Sequence, residues 1–161
     1  MRPAVLAALV VLLGIGAAGQ PAAPFDVSVQ ADIMVAMRDG VKLALDIYRP
    51  SRDGQPVSER LPALLLRTPY GKQLADLENE ARFFAAHGYV VAVQDIRGRY
   101  KSEGAFTKYS ELDAPDGHDT IEWLAAQPFT DGRVGTWGNS YEAHTQADSA
   151  KTNPPHLKTM V

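Results

Sequence analysis

The chain has 161 residues, a formal net charge of −3, 45% hydrophobic residues and no cysteine. This length suits one globular domain, and the weakly acidic balance argues against a nucleic-acid-binding surface. The lack of cysteine excludes disulfides, a thiol nucleophile and thiolate metal ligands.

The first 23 residues have the three-part layout of a secretory signal peptide. Arg2 gives a positive start, residues 4–15 form an apolar run, and the small residues at 16–19 offer a cleavage site. The run is shorter than the roughly 20 residues that span a bilayer, so we expect no stable membrane anchor. An uncleaved N-terminal anchor is the alternative. We predict an exported protein, periplasmic or extracellular, whose folded part begins near residue 24.

From residue 24 onward, the apolar pattern predicts strands that alternate with helices. The predicted strands are 25–36, 41–48, 63–66, 89–93, 134–137 and 157–161. The predicted helices are 74–87, a second that opens at 116 and ends at 127, and 141–150. Asp39-Gly40 predicts a hairpin between the first two strands, and residues 49–62 are interpreted as a surface loop. The alternation that follows predicts an α/β fold with a mostly parallel sheet.

Ser140 is the strongest candidate for a catalytic residue. It lies in a glycine-flanked turn between a predicted strand and a predicted helix, where a sharp bend would hold its hydroxyl above the sheet. A serine nucleophile needs hydrogen-bond donors for the developing oxyanion. The backbone N–H of Tyr141 is one candidate donor. The hydroxyl of Tyr70, in the loop after strand 63–66, is another, unless Tyr70 only packs beside Pro69.

Other polar residues near this turn allow two interpretations each. Glu142 could face a pocket and hold a substrate amine, or it could be solvated on its helix. His144 could act as the base, but a side chain one turn along the helix points back beneath the serine, so a packing role is favoured. Residues 95–98 follow a parallel strand, where ligands gather, but an ion pair or turn that orders the loop is favoured. No histidine has a partner at metal-ligand spacing, so we predict no metal.

A series of ordered segments carries a family resemblance: 37–43, 67–70, 94–98, 102–104, 116–124, 132–141 and 154–158. Together they resemble the CocE/NonD hydrolases, which are X-Pro dipeptidyl-peptidase-like serine hydrolases of the cocaine esterase and α-amino acid ester hydrolase type. The Ser140-Tyr141-Glu142 sequence is similar to the ester hydrolase variant. Two positions depart from the family pattern, since Ala143 replaces a glycine and His144 replaces an apolar residue.

The resemblance implies an α/β-hydrolase fold with Ser140 as nucleophile and with Tyr70 and the Tyr141 N–H as oxyanion hole. It implies a small ester or short peptide substrate and no cofactor. The family's acid and histidine follow the serine, so we expect residues 24–161 to be the N-terminal portion of the catalytic domain, with those two residues beyond Val161. We then expect negligible turnover from the 161-residue chain alone. The alternative is a catalytically inactive remnant or binding fragment of such a hydrolase.

Overall fold

The computed structural model describes residues 24–161, so the predicted signal peptide lies outside the described residues. The strands are β1 (Asp26–Ala36), β2 (Lys42–Arg52), β3 (Gln55–Pro56), β4 (Leu61–Thr68), β5 (Val90–Asp95), β6 (Thr130–Thr136) and β7 (Leu157–Met160). The helices are α1 (Ala75–Ala86), α2 (Asp113–Ala125) and α3 (Tyr141–Lys151). Within residues 24–161, none of these helices has the length and apolar character needed to cross a membrane.

One mixed sheet organises the described residues. Its strand order is β1-β2-β5-β4-β6-β7, with the short β3 paired to β2. β1 and β2 are antiparallel, and β2 is antiparallel to β5. β4, β5, β6 and β7 are mutually parallel. The predicted α/β class, with an antiparallel N-terminal hairpin before a parallel sheet, is confirmed.

Three boundaries differ from the sequence prediction by three residues or more, and one of them is the start of β6 at Thr130, four residues before the predicted 134. Residues 49–56, interpreted as part of a surface loop, form the end of β2 and its return strand β3, joined by a tight turn at Asp53 and Gly54 with positive φ. Helix α2 starts three residues before the predicted residue 116. Pro115 therefore lies in the first turn of α2, where its missing N–H removes no intrahelical hydrogen bond.

The helices cover both faces of the sheet. On one face, α1 packs through Leu77, Ala81 and Ala85 against a cluster that includes Leu66 and Val93. On the other face, Ile121 and Leu124 of α2 pack against a second cluster of apolar residues from β2, β4, β5 and β6: Leu43, Leu45, Ile47, Ala63, Leu65, Val90, Ala92 and Val134. The alternating burial of successive strand residues between these two clusters follows from the two-residue period of a strand.

A bulge in β1 reverses which side of the sheet its odd-numbered side chains face. The register with β2 shifts between Gln30 and Ile33. Val27 packs on the α1 side, whereas Ile33 and Val35 belong to the α2 side, although all three occupy odd positions. An inserted residue has this effect because it inverts the side-chain alternation beyond it.

The parallel strands place three loops together. β4, β5 and β6 lie side by side and point the same way, so their carboxyl ends meet at one edge of the sheet. The segment after β4 is the Tyr70 loop (residues 69–74), and the segment after β6 is the serine turn (residues 137–140). The loop after β5, residues 96–112, lies beside both.

Candidate active site

Ser140 occupies a strained backbone conformation at the start of α3. Its φ of 53° and ψ of −121° fall in a region that residues with a side chain seldom adopt. Its side chain is exposed, and two residues before it Gly138 has φ of 137°. The serine turn therefore lifts one hydroxyl out of the sheet edge and into solvent.

Tyr70 reaches the same point from the end of β4. Its phenol oxygen lies 3.3 Å from Ser140 Oγ, and either atom can donate. Within residues 24–161, the Ser140 side chain makes no other hydrogen bond. The structure thus brings together two residues that the sequence singled out separately.

The Tyr70 loop is fixed by contacts with the loop after β5. The Tyr100 hydroxyl donates to the Tyr70 carbonyl at 2.6 Å, and Arg99 Nε donates to the Pro69 carbonyl at 3.0 Å. Gly71 has φ of 104°, and a Cβ there would lie 2.9 Å from the Tyr100 ring. Glycine is therefore needed at position 71 for both backbone conformation and space.

A buried lysine anchors the far end of the Tyr70 loop. The Lys72 N–H donates to Asp95 Oδ1 at 2.7 Å, and Lys72 Nζ lies 2.6 Å from Asp46 and 2.7 Å from Asp32. Burial opposes the charge of this ammonium, but the two carboxylates hold its pKa above the ordinary value. Burial also raises the pKa of Asp95, which its two backbone N–H donors oppose. Asp95 Oδ2 also accepts the Lys101 N–H at 3.4 Å, a contact in the loop after β5 that agrees with the interpretation of residues 95–98 as ordering that loop.

Tyr141 contributes to the site through its backbone. As the first residue of α3, its N–H donates to no backbone carbonyl in residues 24–161 and remains free for a ligand. Its side chain is buried and turned away, since its hydroxyl accepts the Tyr109 N–H at 2.8 Å and donates to Asp113 at 3.3 Å. The Tyr109 ring stacks on the Tyr141 ring at 5.1 Å between centroids.

An open cleft of about 580 Å³ surrounds Ser140. Two of its residues, Arg99 and Lys108, are cationic, and none is acidic. The full lining consists of Pro69, Tyr70, Arg99, Phe106, Lys108, Tyr109, Ser140 and Tyr141. A substrate group could therefore lie against Ser140 with aromatic surface on both sides.

Glu142 is buried, with 3% of its surface exposed. It is therefore not solvated on its helix, and it does not line the cleft around Ser140. Its Oε1 accepts the Thr68 hydroxyl at 2.9 Å. Burial raises the pKa of Glu142, an effect that the Thr68 hydroxyl reduces. It lines a second cavity of about 500 Å³ together with Gly138 and Asn139 of the serine turn, and its assignment as a substrate-binding residue stays a prediction.

His144 packs beneath the serine turn. Its Nε2 lies 2.7 Å from Asp148 Oδ2, and its ring meets those of Tyr109 and Tyr141 edge-on. One ligand atom each from Asp113, His144 and Asp148 lie within 4.8 Å of one another, an arrangement that could hold a metal ion. However, Asp148 already lies against His144 and pairs with Lys151, and Asp113 accepts the Tyr141 hydroxyl, so each carboxylate of the cluster has a partner among residues 24–161. The predicted lack of a metal stays a prediction.

Three residues at this edge were missed by sequence reasoning. Thr68, Tyr100 and Tyr109 hold the Tyr70 loop or line the cleft. Tyr100 and Tyr109 adopt positive φ of 48° and 57°. No short-range pattern signals such positions, because tyrosine has no intrinsic preference for this region.

The strand order and the strained serine turn define an α/β hydrolase fold. The chain belongs to the X-Pro dipeptidyl-peptidase (S15) family, whose model matches residues 39–161. It is 41% identical over 137 residues to cocaine esterase from Rhodococcus sp. (strain MB1 Bresler), an alignment that covers 83% of this chain. The CocE/NonD resemblance inferred from the sequence segments is therefore confirmed.

Solved structures give the same result. A CocE/NonD family hydrolase from Staphylococcus aureus superimposes with a TM-score of 0.72 at 33% identity, covering 82% of this chain and 26% of that chain. An α-amino acid ester hydrolase superimposes with a TM-score of 0.70 at 31% identity, covering 94% of this chain and 28% of that chain. The alignment with cocaine esterase covers 23% of that protein. The chain thus spans about a quarter of the length of these relatives.

Proposed function

We propose that residues 24–161 supply the nucleophile and the oxyanion donors of a serine hydrolase that cleaves an ester or amide through an acyl-enzyme. The observation that carries the proposal is the contact of 3.3 Å between Tyr70 and an exposed Ser140 held at positive φ. Ser140 Oγ attacks the substrate carbonyl and gives its proton to a base, and the Tyr70 hydroxyl and Tyr141 N–H donate to the oxygen that becomes negative. The ester C–O or amide C–N bond then breaks, the alcohol or amine leaves with that proton, and water hydrolyses the acyl-enzyme to release the acid.

Geometry supports these roles. When Oγ bonds to the carbonyl carbon, Oγ and the carbonyl oxygen are attached to the same atom. The donors of an oxyanion hole lie at about 2.7–3.1 Å from that carbonyl oxygen. A phenol that already contacts Oγ can reach such an oxygen by a small rotation. The Tyr141 N–H follows the nucleophile directly, which is the position that α/β hydrolases use.

The proposed mechanism also needs a base and an acid that orients it, and residues 24–161 do not supply this pair at Ser140. Within residues 24–161, His144 is paired with Asp148, and Ser140 Oγ has no histidine as a hydrogen-bond partner. Nucleophilic attack by serine requires such a base. We therefore place the catalytic histidine and aspartate in polypeptide that continues past Val161, and we expect negligible turnover from the 161-residue chain alone.

The substrate class is proposed from the relatives. Cocaine esterase and α-amino acid ester hydrolase are esterases by name, and the family is named for X-Pro dipeptides. We propose a small ester, an α-amino acid ester or a short X-Pro peptide as substrate, without a cofactor. The N-terminal segment supports export to the periplasm or the extracellular space.

A second candidate is a catalytically inactive remnant or binding fragment. It is favoured by one observation, namely that no histidine of residues 24–161 hydrogen-bonds to Ser140 Oγ. Under this hypothesis the cleft keeps its shape without turnover.

The two candidates are separated by labelling with a fluorophosphonate, which bonds covalently to activated serines. The coding DNA is read past codon 161, and the whole reading frame is expressed alongside the 161-residue chain and a Ser140→Ala variant. We expect labelling of the longer protein at Ser140 by peptide mass spectrometry, and none of the other two. A stop codon directly after codon 161, or a longer protein that is not labelled at Ser140, would support the inactive remnant.

A further inference from the structure

Glu142 is a buried carboxylate without a cationic partner. It lies in the first turn of α3 with 3% exposure, and it takes part in none of the ion pairs within residues 24–161. Burying a charge without a partner is costly, so such a group persists where its hydrogen bonds are needed. Its two oxygens face two different parts of the candidate active site.

The first oxygen reaches the Tyr70 loop. Glu142 Oε1 accepts the Thr68 hydroxyl hydrogen at 2.9 Å, and Thr68 Oγ1 accepts the Tyr70 N–H at 3.1 Å. A hydroxyl has one hydrogen and two lone pairs. Because the carboxylate takes that hydrogen, a lone pair of Thr68 Oγ1 is left for the Tyr70 N–H. The relay thus runs from Glu142 to the residue whose phenol contacts Ser140.

The second oxygen reaches the serine turn. Asn139 is the residue immediately before Ser140, and its backbone N–H donates to Glu142 Oε2 with an N···O distance of 3.4 Å. A Cβ on Gly138 would lie 2.5 Å from Glu142 Cβ, so the turn has no room for a side chain there. The carboxylate is thereby packed between the serine turn and the end of β4.

We propose that Glu142 is a positioning residue that couples the Tyr70 loop to the serine turn and so holds the Tyr70 phenol against Ser140. This role is an alternative to contact with a substrate amine, and its relevance to catalysis rests on the proposed function. Only a group that accepts on both oxygens keeps both hydrogen bonds in the observed direction. A glutamine at position 142 that still accepts the Asn139 N–H would turn its NH₂ toward Thr68 Oγ1, which leaves the Thr68 hydroxyl hydrogen without its acceptor and places a second donor beside the Tyr70 N–H.

The coupling is measured by amide hydrogen exchange in the 161-residue chain, followed by NMR. Glu142→Gln is compared with Thr68→Val, which keeps the shape but removes the hydroxyl, and with Thr68→Ser, which keeps the hydroxyl. Glu122→Gln is the matched control, because Glu122 accepts the His156 N–H at 3.2 Å and bonds to neither the Tyr70 loop nor the serine turn. Val91 in the centre of the sheet reports global opening.

We expect Glu142→Gln to accelerate exchange at Tyr70 and Asn139 at least tenfold relative to Val91. Thr68→Val should accelerate Tyr70 alone, and Thr68→Ser should restore the rate at Tyr70. Unchanged rates at Tyr70 in Glu142→Gln and Thr68→Val, or equal acceleration at Val91, would overturn the proposal. The Thr68 variants decide the question if Glu142→Gln does not fold.

A kinetic measurement separates this inference from the proposed function. In the longer protein with a complete catalytic triad, Glu142→Gln should lower kcat about tenfold or more with KM within twofold, and Thr68→Ser should retain activity. Altered exchange without any activity in the parent protein would reject the proposed function and keep the coupling. A raised KM with kcat unchanged would indicate substrate binding by Glu142 and overturn the positioning role.

Discussion

The phenol oxygen of Tyr70 lies 3.3 Å from the hydroxyl oxygen of Ser140, although 70 positions separate the two residues in the chain. The parallel arrangement of β4 and β6 accounts for this contact, since each residue follows the carboxyl end of its strand. Both side chains are exposed at the cleft, where a substrate carbonyl can enter.

Removing the phenol hydroxyl should slow acylation. In the longer protein with a complete triad, we expect Tyr70→Phe to lower kcat by about 10²–10³-fold, the usual effect of losing one oxyanion donor, with KM little changed. The measurement is steady-state ester hydrolysis. Tyr89→Phe is the matched control, because Tyr89 packs on Phe84 away from the cleft. Equal activity of Tyr70→Phe and the parent protein would exclude Tyr70 from the oxyanion hole.

Adding a methyl group to the serine turn should destabilise the fold. Gly138→Ala combines a positive φ with a Cβ 2.5 Å from Glu142 Cβ, whereas Gly54→Ala has positive φ and nothing within 4 Å. Left-handed backbone costs roughly 1–2 kcal/mol in either variant, and the overlap at position 138 should add about 1–3 kcal/mol. Urea unfolding of the two variants measures the difference. Similar losses would mean that the turn has more room than the contact with Glu142 allows.

Some features of this edge were predictable because they are local. The glycine-flanked strand-to-helix turn places Ser140 by short-range rules alone, and Asp39-Gly40 does the same for the hairpin. The burial of Glu142 was not predictable, because the face of α3 that meets Thr68 is set by packing across 74 positions. The bulge in β1 was not predictable either, because the Asp32 N–H within it donates to Asp46 on β2, a residue 14 positions away.

The stability contributed by Glu142 should depend on pH with a defined sign. Burial holds the pKa of Glu142 above its ordinary 4.5, so the folded state binds the proton more tightly than the unfolded chain. Its contribution is full below pH 4.5 and is lost as pH rises through the raised folded pKa. The free energy of unfolding of the parent chain relative to Glu142→Gln should therefore fall as pH rises from 4.5 through the raised folded pKa.

The opposite dependence of stability on pH is expected at Asp131, which is only partly buried. Hydrogen bonding from Arg133 lowers the pKa of Asp131, so the parent chain should gain stability relative to Asp131→Asn as pH rises through the acidic range. Urea unfolding at several pH values measures both pairs. The same sign for both would contradict the assigned burial of Glu142.

Breaking a buried ion pair should lower the free energy of unfolding more than breaking a surface pair. Arg97 binds Asp116 with two hydrogen bonds of 2.6 and 2.9 Å, and both side chains are buried. Arg97→Ala leaves a buried carboxylate poorly paired and should cost about 3–5 kcal/mol. Arg133→Ala breaks the exposed pair with Asp131 and should cost about 0–1 kcal/mol. Thermal and urea unfolding test this contrast, which equal losses would refute.

The central claim is that Ser140, Tyr70 and the Tyr141 N–H act on one substrate carbonyl. The most direct measurement is a crystal structure of the longer protein with a phosphonate bonded to Ser140 Oγ. We predict a phosphonyl oxygen at about 2.7–3.1 Å from both the Tyr70 hydroxyl and the Tyr141 nitrogen. A phosphonyl oxygen held by other donors, with Tyr70 turned away, would contradict the account.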